Sequence, residues 1–290
     1  MNENNLEYLK KTLEGLGFGV KLNGLMEDAI RRELPAFSLG IETMRRPVDS
    51  KKMDDPRTDR LAFTLNFNRS KQSDMYFLND YTVLLNKKGE FKAVAQTLSL
   101  ERDHRITAYQ AHRLLSGMSL EKEVYLREKA VPGQEPVRAQ EKTPLWFSIN
   151  LDVTDAFGNH PLRTFRPEYG YDLGEALAKY PLKGLDTPDK LGEAMKALRN
   201  GNYVDATLTL GRKNVPVSIA ANPQMKTIDI YDKDMVEIRN ETIFPEKAKS
   251  KGQEQQVADK ETAKRDNGQH GKAQPWEQEP EVDTGPKRGR

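Results

Sequence analysis

Apolar and polar positions along the chain follow two periods, and the switch between them marks out the elements. Leu6, Leu9, Leu13 and Leu16 recur at three- and four-residue steps, which lays an apolar stripe along one face of a first helix. Gly15, Gly17 and Gly19 break that pattern and read as a helix–helix turn. A second helix is predicted from about Lys21 to Leu34, with Leu22, Leu25, Met26, Ala29 and Ile30 inward and Pro35 ending it. The period then becomes two. In Arg60–Ser70, Phe63, Leu65 and Phe67 alternate with Thr64, Asn66 and Asn68. In Asp74–Asn86, Met75, Phe77, Tyr81, Val83 and Leu85 share a face, interrupted at Asn79. Phe37–Met44 and Phe91–Leu100 complete four strands, with a charged loop at Arg45–Asp59. Such alternation with short turns predicts antiparallel sheet with one wet face, and it places Phe77 in the core.

From Ile106 the pattern changes. An amphipathic helix at Thr107–Ser116 ends at Gly117 and is followed by strands at Leu120–Arg127 and Leu145–Val153, the latter burying Phe147. A helix at Pro188–Asn200 ends at Gly201 and is followed by strands at Tyr203–Leu210 and Val215–Ala221. Both glycines fit the left-handed residue that closes a helix. The two helix–hairpin units are compatible with a divergent repeat and equally with a common local arrangement, and their spacing does not choose. Between them, Asp172 and Glu175 form a capping-box-like start for a helix at Leu173–Tyr180. Thr227–Tyr231 is the last predicted strand.

The fold predicted is therefore α+β, with mainly antiparallel sheets and short packed helices. It divides into two modules, 1–105 and 106–244, and a C-terminal tail. Hydrophobic residues make up 36% of the 290, below the roughly 45–50% of an ordinary globular chain. The deficit is concentrated in residues 245–290, which hold Trp276, two Val and no Leu, Ile, Phe, Tyr or Met. Too little apolar surface is available there to offset ordering entropy, so a disordered polar tail is predicted. The tail carries 10 basic and 9 acidic residues, and the whole chain 46 and 44, so neither part is a polycation.

The absence of Cys excludes disulfides, thiolate metal sites and a cysteine nucleophile. No apolar run approaches the roughly 20 residues of a membrane span, and Met1–Lys11 lacks the apolar core of a signal peptide. A cytoplasmic chain without membrane association is the expectation. No cofactor is predicted: Gly15–Gly19 lacks the dinucleotide pattern, and no phosphate loop or serine elbow occurs. His104, His112, His160 and His270 show no paired helical spacing and read as surface histidines, with no metal site. Asp152, Asp155 and His160 bring together the side chains of a metal-dependent nuclease, but the same letters make a polar turn leaving a strand.

Two surfaces carry the remaining signal. Thr43–Gln72 holds eight Lys/Arg against four Asp, and its adjacent pairs Arg45, Arg46 and Lys51, Lys52 are the candidate phosphate contacts. Tyr76 and Tyr81 could stack on bases beside them. A solvated loop flanking a sheet would have the same composition. Tyr76, Trp146 and Tyr203 fall on the polar faces of their alternations and suggest a partner surface, unless helices cover them.

Five runs resemble one family in chain order. They are Asn2–Lys10, Gly17-Phe18-Gly19, Asp74–Asn79, Tyr169–Leu173 and Ala221–Thr227. Over about residues 1–240 they look like a family of uncharacterised proteins encoded in Bacteroidota genomes, often on conjugative and other mobile elements. The resemblance implies that genomic setting and carries no established activity or site residues. The expected function is a non-enzymatic, cytoplasmic binding or accessory protein of a mobile genetic element, acting through a protein partner. The alternative is a nucleic-acid-binding protein using the 43–72 surface, and the third reading is the metal-dependent nuclease.

Overall fold

Asn2 starts the first helix by accepting the Asn5 amide on its side chain, which satisfies one of the free donors of the first turn. The computed structural model describes residues 2–51, 55–100, 104–127 and 138–244. Residues 245–290, where a disordered tail is expected, lie outside these, as does Lys52. The chain is an α+β protein of antiparallel sheets with short helices. Residues Met1–Ile238 form one unit; Arg239–Arg290 forms a second, whose described part holds the short helix Asn240–Ile243.

Helix α1 (Glu3–Gly15) turns Leu6, Leu9 and Leu13 inward, and Leu16 follows at its C-cap. Helix α2 (Asn23–Arg31) is shorter than its sequence pattern, because Glu33 takes a left-handed φ of 53° before Pro35. It buries Met26, Ala29 and Ile30, whereas Leu25 is 60% exposed rather than inward. One helical step carries Leu25 about 100° away from Met26, to the margin of a short helix.

Strands β1 (Ala36–Arg45), β2 (Asp59–Arg69), β3 (Tyr76–Asn86) and β4 (Val94–Ser99) form an antiparallel meander. Leu61, Phe63, Leu65 and Phe67 point from β2 into the core, as their alternation requires. Strand β3 departs from expectation. Asp80 faces Asn66, but Leu78 faces Phe67, so Asn79 is an extra residue without a partner on β2. Its carbonyl instead accepts the Leu100 amide at 2.7 Å. Such a bulge reverses the facing of everything before it. Tyr76 is therefore buried at 2% exposure and Phe77 lies outward at 45%. Asn5 fixes this arrangement, accepting the Tyr76 amide and donating to its carbonyl.

Helix α3 (Ala108–Leu115) opens with a capping box between Thr107 and Gln110. Strands β5 (Leu120–Arg127), β6 (Arg138–Ile149) and β7 (Leu162–Phe165) follow in that order as a second sheet. Strand β6 begins earlier than the apolar pattern suggests. Pro144 is tolerated within it because β7 pairs only with Trp146–Ile149. Phe147 is fully buried, in accord with expectation. Trp146 is buried as well, at 5% exposure, packed edge-on against Tyr171. From Leu145 to Ile149 the strand is largely covered on both faces, so alternation could not identify an outer one.

A third sheet runs β11-β10-β9-β8, from β8 (Leu182–Lys183), β9 (Val204–Leu210), β10 (Lys213–Asn222) and β11 (Thr227–Tyr231). Helices α4 (Leu173–Ala178) and α5 (Pro188–Arg199) accompany it. Asp172 caps α4 by accepting the Glu175 amide. The main apolar core runs from Leu6 to Ile149 and includes Ile106, Ala111, Leu115 and Leu120, so it continues through the division expected near residue 105. Gly117 and Gly201 both have left-handed φ, at 88° and 70°. Gly201 also lies against the first helix–hairpin: a Cβ there would stand 3.2 Å from the Ser119 carbonyl and 3.3 Å from Arg113 Cβ. That contact brings Asn202 and Tyr203 beside α3.

Candidate functional site

Strand β1 leads at Arg45 into the charged loop, and the chain returns at Asp59 directly opposite it in the ladder. Helix α3 packs across this end of the sheet, presenting Tyr109, His112 and Arg113, while the Gly201 contact supplies Asn202 and Tyr203. Between these three pieces lies a cavity of about 640 Å³. Met44–Lys51 forms one wall, Tyr109, His112 and Arg113 another, and Asn202, Tyr203, Asp205 and Ser218 a third. The Tyr109 hydroxyl donates to Asn202 at 2.9 Å and ties two of the walls together. A smaller hollow of about 240 Å³ shares Pro47–Asp49 and Tyr203 and is lined by Arg57, Asp59, Lys87 and Lys88.

The structure thus unites Arg45, Arg46, Lys51 and Tyr203, which the sequence assigned to two different surfaces. It separates the other candidates. Tyr76 and Trp146 are core residues, so the expected three-aromatic partner surface does not exist. Tyr81, proposed as a stacking residue, is fully buried and its hydroxyl donates to the Ile106 carbonyl at 2.7 Å. Burial pushes its pKa far above that of an ordinary tyrosine. Tyr203 is half-buried against Tyr231, and burial raises its pKa to about 12.

The basic residues outside the cavity are largely spent on acids. Arg57 binds Asp49 and Asp55, each at 2.8 Å, and holds the Asp55 carboxyl well below the usual carboxylate range. Arg60 pairs with Glu42 at 2.6 Å and Arg69 with Glu33 at 3.2 Å. Inside the cavity the balance differs. Lys51 reaches Asp205 at 3.6 Å, and the Nε atoms of Arg45 and Arg113 are buried without a hydrogen-bond partner. The Arg113 guanidinium donates from Nη2 to the Tyr109 hydroxyl at 2.8 Å, while its buried Nε, like that of Arg45, forgoes a bond it would make in water.

Behind those two arginines sits a pair that sequence reasoning missed. His112 Nε2 lies 2.8 Å from Asp59 Oδ2, and both side chains are 2% exposed. His112 is a core histidine, not a surface one. Burial holds its pKa below the ordinary 6.5; the Asp59 hydrogen bond opposes this, and Arg113 and Arg45 reinforce it. The pattern contained the signal. Asp59 continues the inward alternation of Leu61, Phe63, Leu65 and Phe67, and a carboxylate on an inward face requires a buried partner.

Asp155 serves a turn: its Oδ1 accepts the amides of Phe157 and Asn159, at 2.9 and 2.8 Å. His160 Nδ1 lies 2.8 Å from the Val153 carbonyl oxygen. Among the described residues no group of three His, Asp or Glu side chains is placed to hold a metal ion. No described helix is long and apolar enough to cross a membrane. Comparison with protein-family models, curated proteins and solved structures finds no match.

Proposed function

We propose that this chain is a non-enzymatic binding protein that holds nucleic acid by its phosphates in the Arg45–Lys51 cavity. The observation that carries the reading is the convergence of Arg45, Arg46, Lys51 and Arg113 on one cavity. The planar guanidinium fork can donate to two phosphate oxygens at once, and hydrogen bonds between charged partners are stronger than neutral ones. Tyr109, whose ring carries the Arg113 guanidinium at 4.7 Å on one face, and Tyr203 lie on the same walls and offer their remaining ring surface to a base. The cytoplasmic location and the mobile-element setting rest on the composition and on the resemblance of the five quoted runs.

Binding should be visible as a shift of labelled single-stranded DNA or RNA in 50 mM salt or less. Neutralising Arg45, Arg46 and Lys51 together should shallow the logarithmic salt slope by about 0.7 per lost contact on single strands. Failure to bind either strand type or a duplex at micromolar protein would remove this reading. A protein partner is the second reading. It is favoured by Phe77, exposed beside Tyr8 at a hollow of about 390 Å³ whose wall includes Leu9, Leu16, Leu78 and Leu100.

A further inference from the structure

We infer that the cavity is built for a terminal phosphate, either of a strand end or of a free nucleotide, rather than for the phosphodiesters of a continuous strand. The inference rests on the nucleic-acid reading of the cavity and narrows it to one chemical group.

Three observations converge on this. The first is where the cationic charge lies. Arg57, Arg60 and Arg69, which would extend a basic track beyond the cavity, are held by Asp49 and Asp55, Glu42 and Glu33. A strand bound along its length needs successive phosphate contacts, and those side chains are already committed. The second is depth. Arg45 and Arg113 are partly buried and line the cavity, so a ligand that meets their guanidinium groups enters the recess. An internal phosphodiester carries a sugar on each side and offers two free oxygens. A terminal phosphate carries one sugar and offers three free oxygens, with a charge of about −1.5 to −2 at neutral pH. The third is size: about 640 Å³ lies within the range for small-ligand sites and can house a nucleotide.

The acids on the wall do not cancel the arginines. Asp49 is engaged by Arg57 at 2.8 Å. Asp205 accepts the Ser218 hydroxyl at 2.7 Å and faces Lys51. Arg45 and Arg113 both lower the proton affinity of His112, so two like charges converge on one buried ring. The Asp59 carboxylate, 2.8 Å from that ring, is one counter-charge to them, and a phosphate in the cavity would be a second. The phosphate would lie between the two guanidinium groups, with the sugar and base toward Tyr109 and Tyr203.

The test is fluorescence anisotropy on one single-stranded sequence prepared with a 5′-phosphate, with a 3′-phosphate, with hydroxyls at both ends, and as a closed circle. AMP and inorganic phosphate serve as competitors. At least one phosphorylated end should bind tenfold or more tighter than the hydroxyl-ended strand and the circle. AMP should compete with it; competition by AMP together with weak strand binding would identify the free nucleotide as the ligand. Arg45→Lys and Arg113→Lys keep the charge but lose the fork. Each should abolish the preference for the phosphorylated end, and thermal melting of each variant checks that it folds. Equal binding of circle and phosphorylated strand would overturn the inference while leaving the nucleic-acid reading intact. No binding in any arm would remove both.

Discussion

Asp59 and His112 lie 53 residues apart in the chain, and their side chains meet at 2.8 Å where the end of the first sheet is closed by helix α3. Replacing His112 by Ala leaves the Asp59 carboxylate buried without its partner and should cost about 3–5 kcal/mol, the usual penalty for breaking a buried pair. Asp59→Asn, which retains an acceptor oxygen and removes the charge, should cost less. The pair also sets a pH dependence. Burial, Arg45 and Arg113 hold His112 below its unfolded value of 6.5, against the pull of Asp59. The unfolded chain therefore takes up the proton first as pH falls. The stability linked to His112 is present above about pH 6.5 and is lost as pH drops toward its folded-state value. Urea unfolding between pH 5 and 8 should show this slope in the wild type and a shallower one in His112→Gln; identical slopes would refute the assignment.

The bulge at Asn79 yields a paired prediction about two neighbours. The Tyr76 hydroxyl is buried without a hydrogen-bond partner, so Tyr76→Phe removes a desolvated polar group and keeps the ring. The variant should match or exceed the wild type in stability, by up to about 1 kcal/mol. Tyr76→Ala should cost several kcal/mol, because it opens a cavity beside Phe37. Phe77→Ala should cost far less than the roughly 3–5 kcal/mol of a buried Phe, since Phe77 is 45% exposed. Chemical denaturation of the three variants decides the matter. A Phe77→Ala loss as large as that of Tyr76→Ala would place the bulge wrongly.

These two cases show which parts of the molecule could be read from residue order. Helix α1 and strand β2 were legible because Leu6, Leu9 and Leu13, and then Phe63, Leu65 and Phe67, obey a single period and bury one face. Strand β3 was only half legible. A period of two has no letter for an extra residue, so Met75 and Phe77 appeared in phase with Tyr81 across Asn79. Trp146 misled for another reason, since its strand is largely covered on both faces from Leu145 to Ile149 and Tyr171 packs against the ring. At the site, the cluster of Arg45, Arg46 and Lys51 stood out locally. Arg113, Tyr109 and Asn202 reach the cavity only through tertiary packing, and no local spacing announces them. Asp59 was the exception, a charge in phase with an apolar stripe.

Gly201 and Gly117 offer a comparison of strain with strain plus contact. Both have left-handed φ, which a Cβ disfavours by roughly 1–2 kcal/mol. A Cβ at Gly117 would meet nothing within 4 Å, whereas one at Gly201 would press on the Ser119 carbonyl and Arg113 Cβ. Gly201→Ala should therefore be the more destabilising in thermal melts. It should also weaken ligand binding in the cavity, because Asn202 and Tyr203 follow directly and Arg113 is one of the atoms displaced. Gly117→Ala should lower the melting temperature without that effect. Equal losses of binding would argue that Gly201 does not position the wall.

The last prediction separates the cavity from the basic surface around it. Arg60 and Arg69 lie on β2 and are counted among the eight basic residues of Thr43–Gln72, yet each already holds a carboxylate, Glu42 at 2.6 Å and Glu33 at 3.2 Å. A phosphate approaching either would have to displace that acid, so little counterion release is available there. The Arg60→Gln, Arg69→Gln double variant should bind nucleic acid within about twofold of the wild type, with an unchanged salt slope, and should melt close to it because exposed ion pairs contribute little. Neutralising Arg45 alone removes no described ion pair and exposes no paired acid, and should still lower affinity by tenfold or more, as expected for a buried contact between charged groups. Affinity titrations at two or more salt concentrations distinguish the cases. If the double variant lost as much slope as Arg45→Gln, the ligand would be following the outer face of the sheet, and the cavity would be incidental to binding.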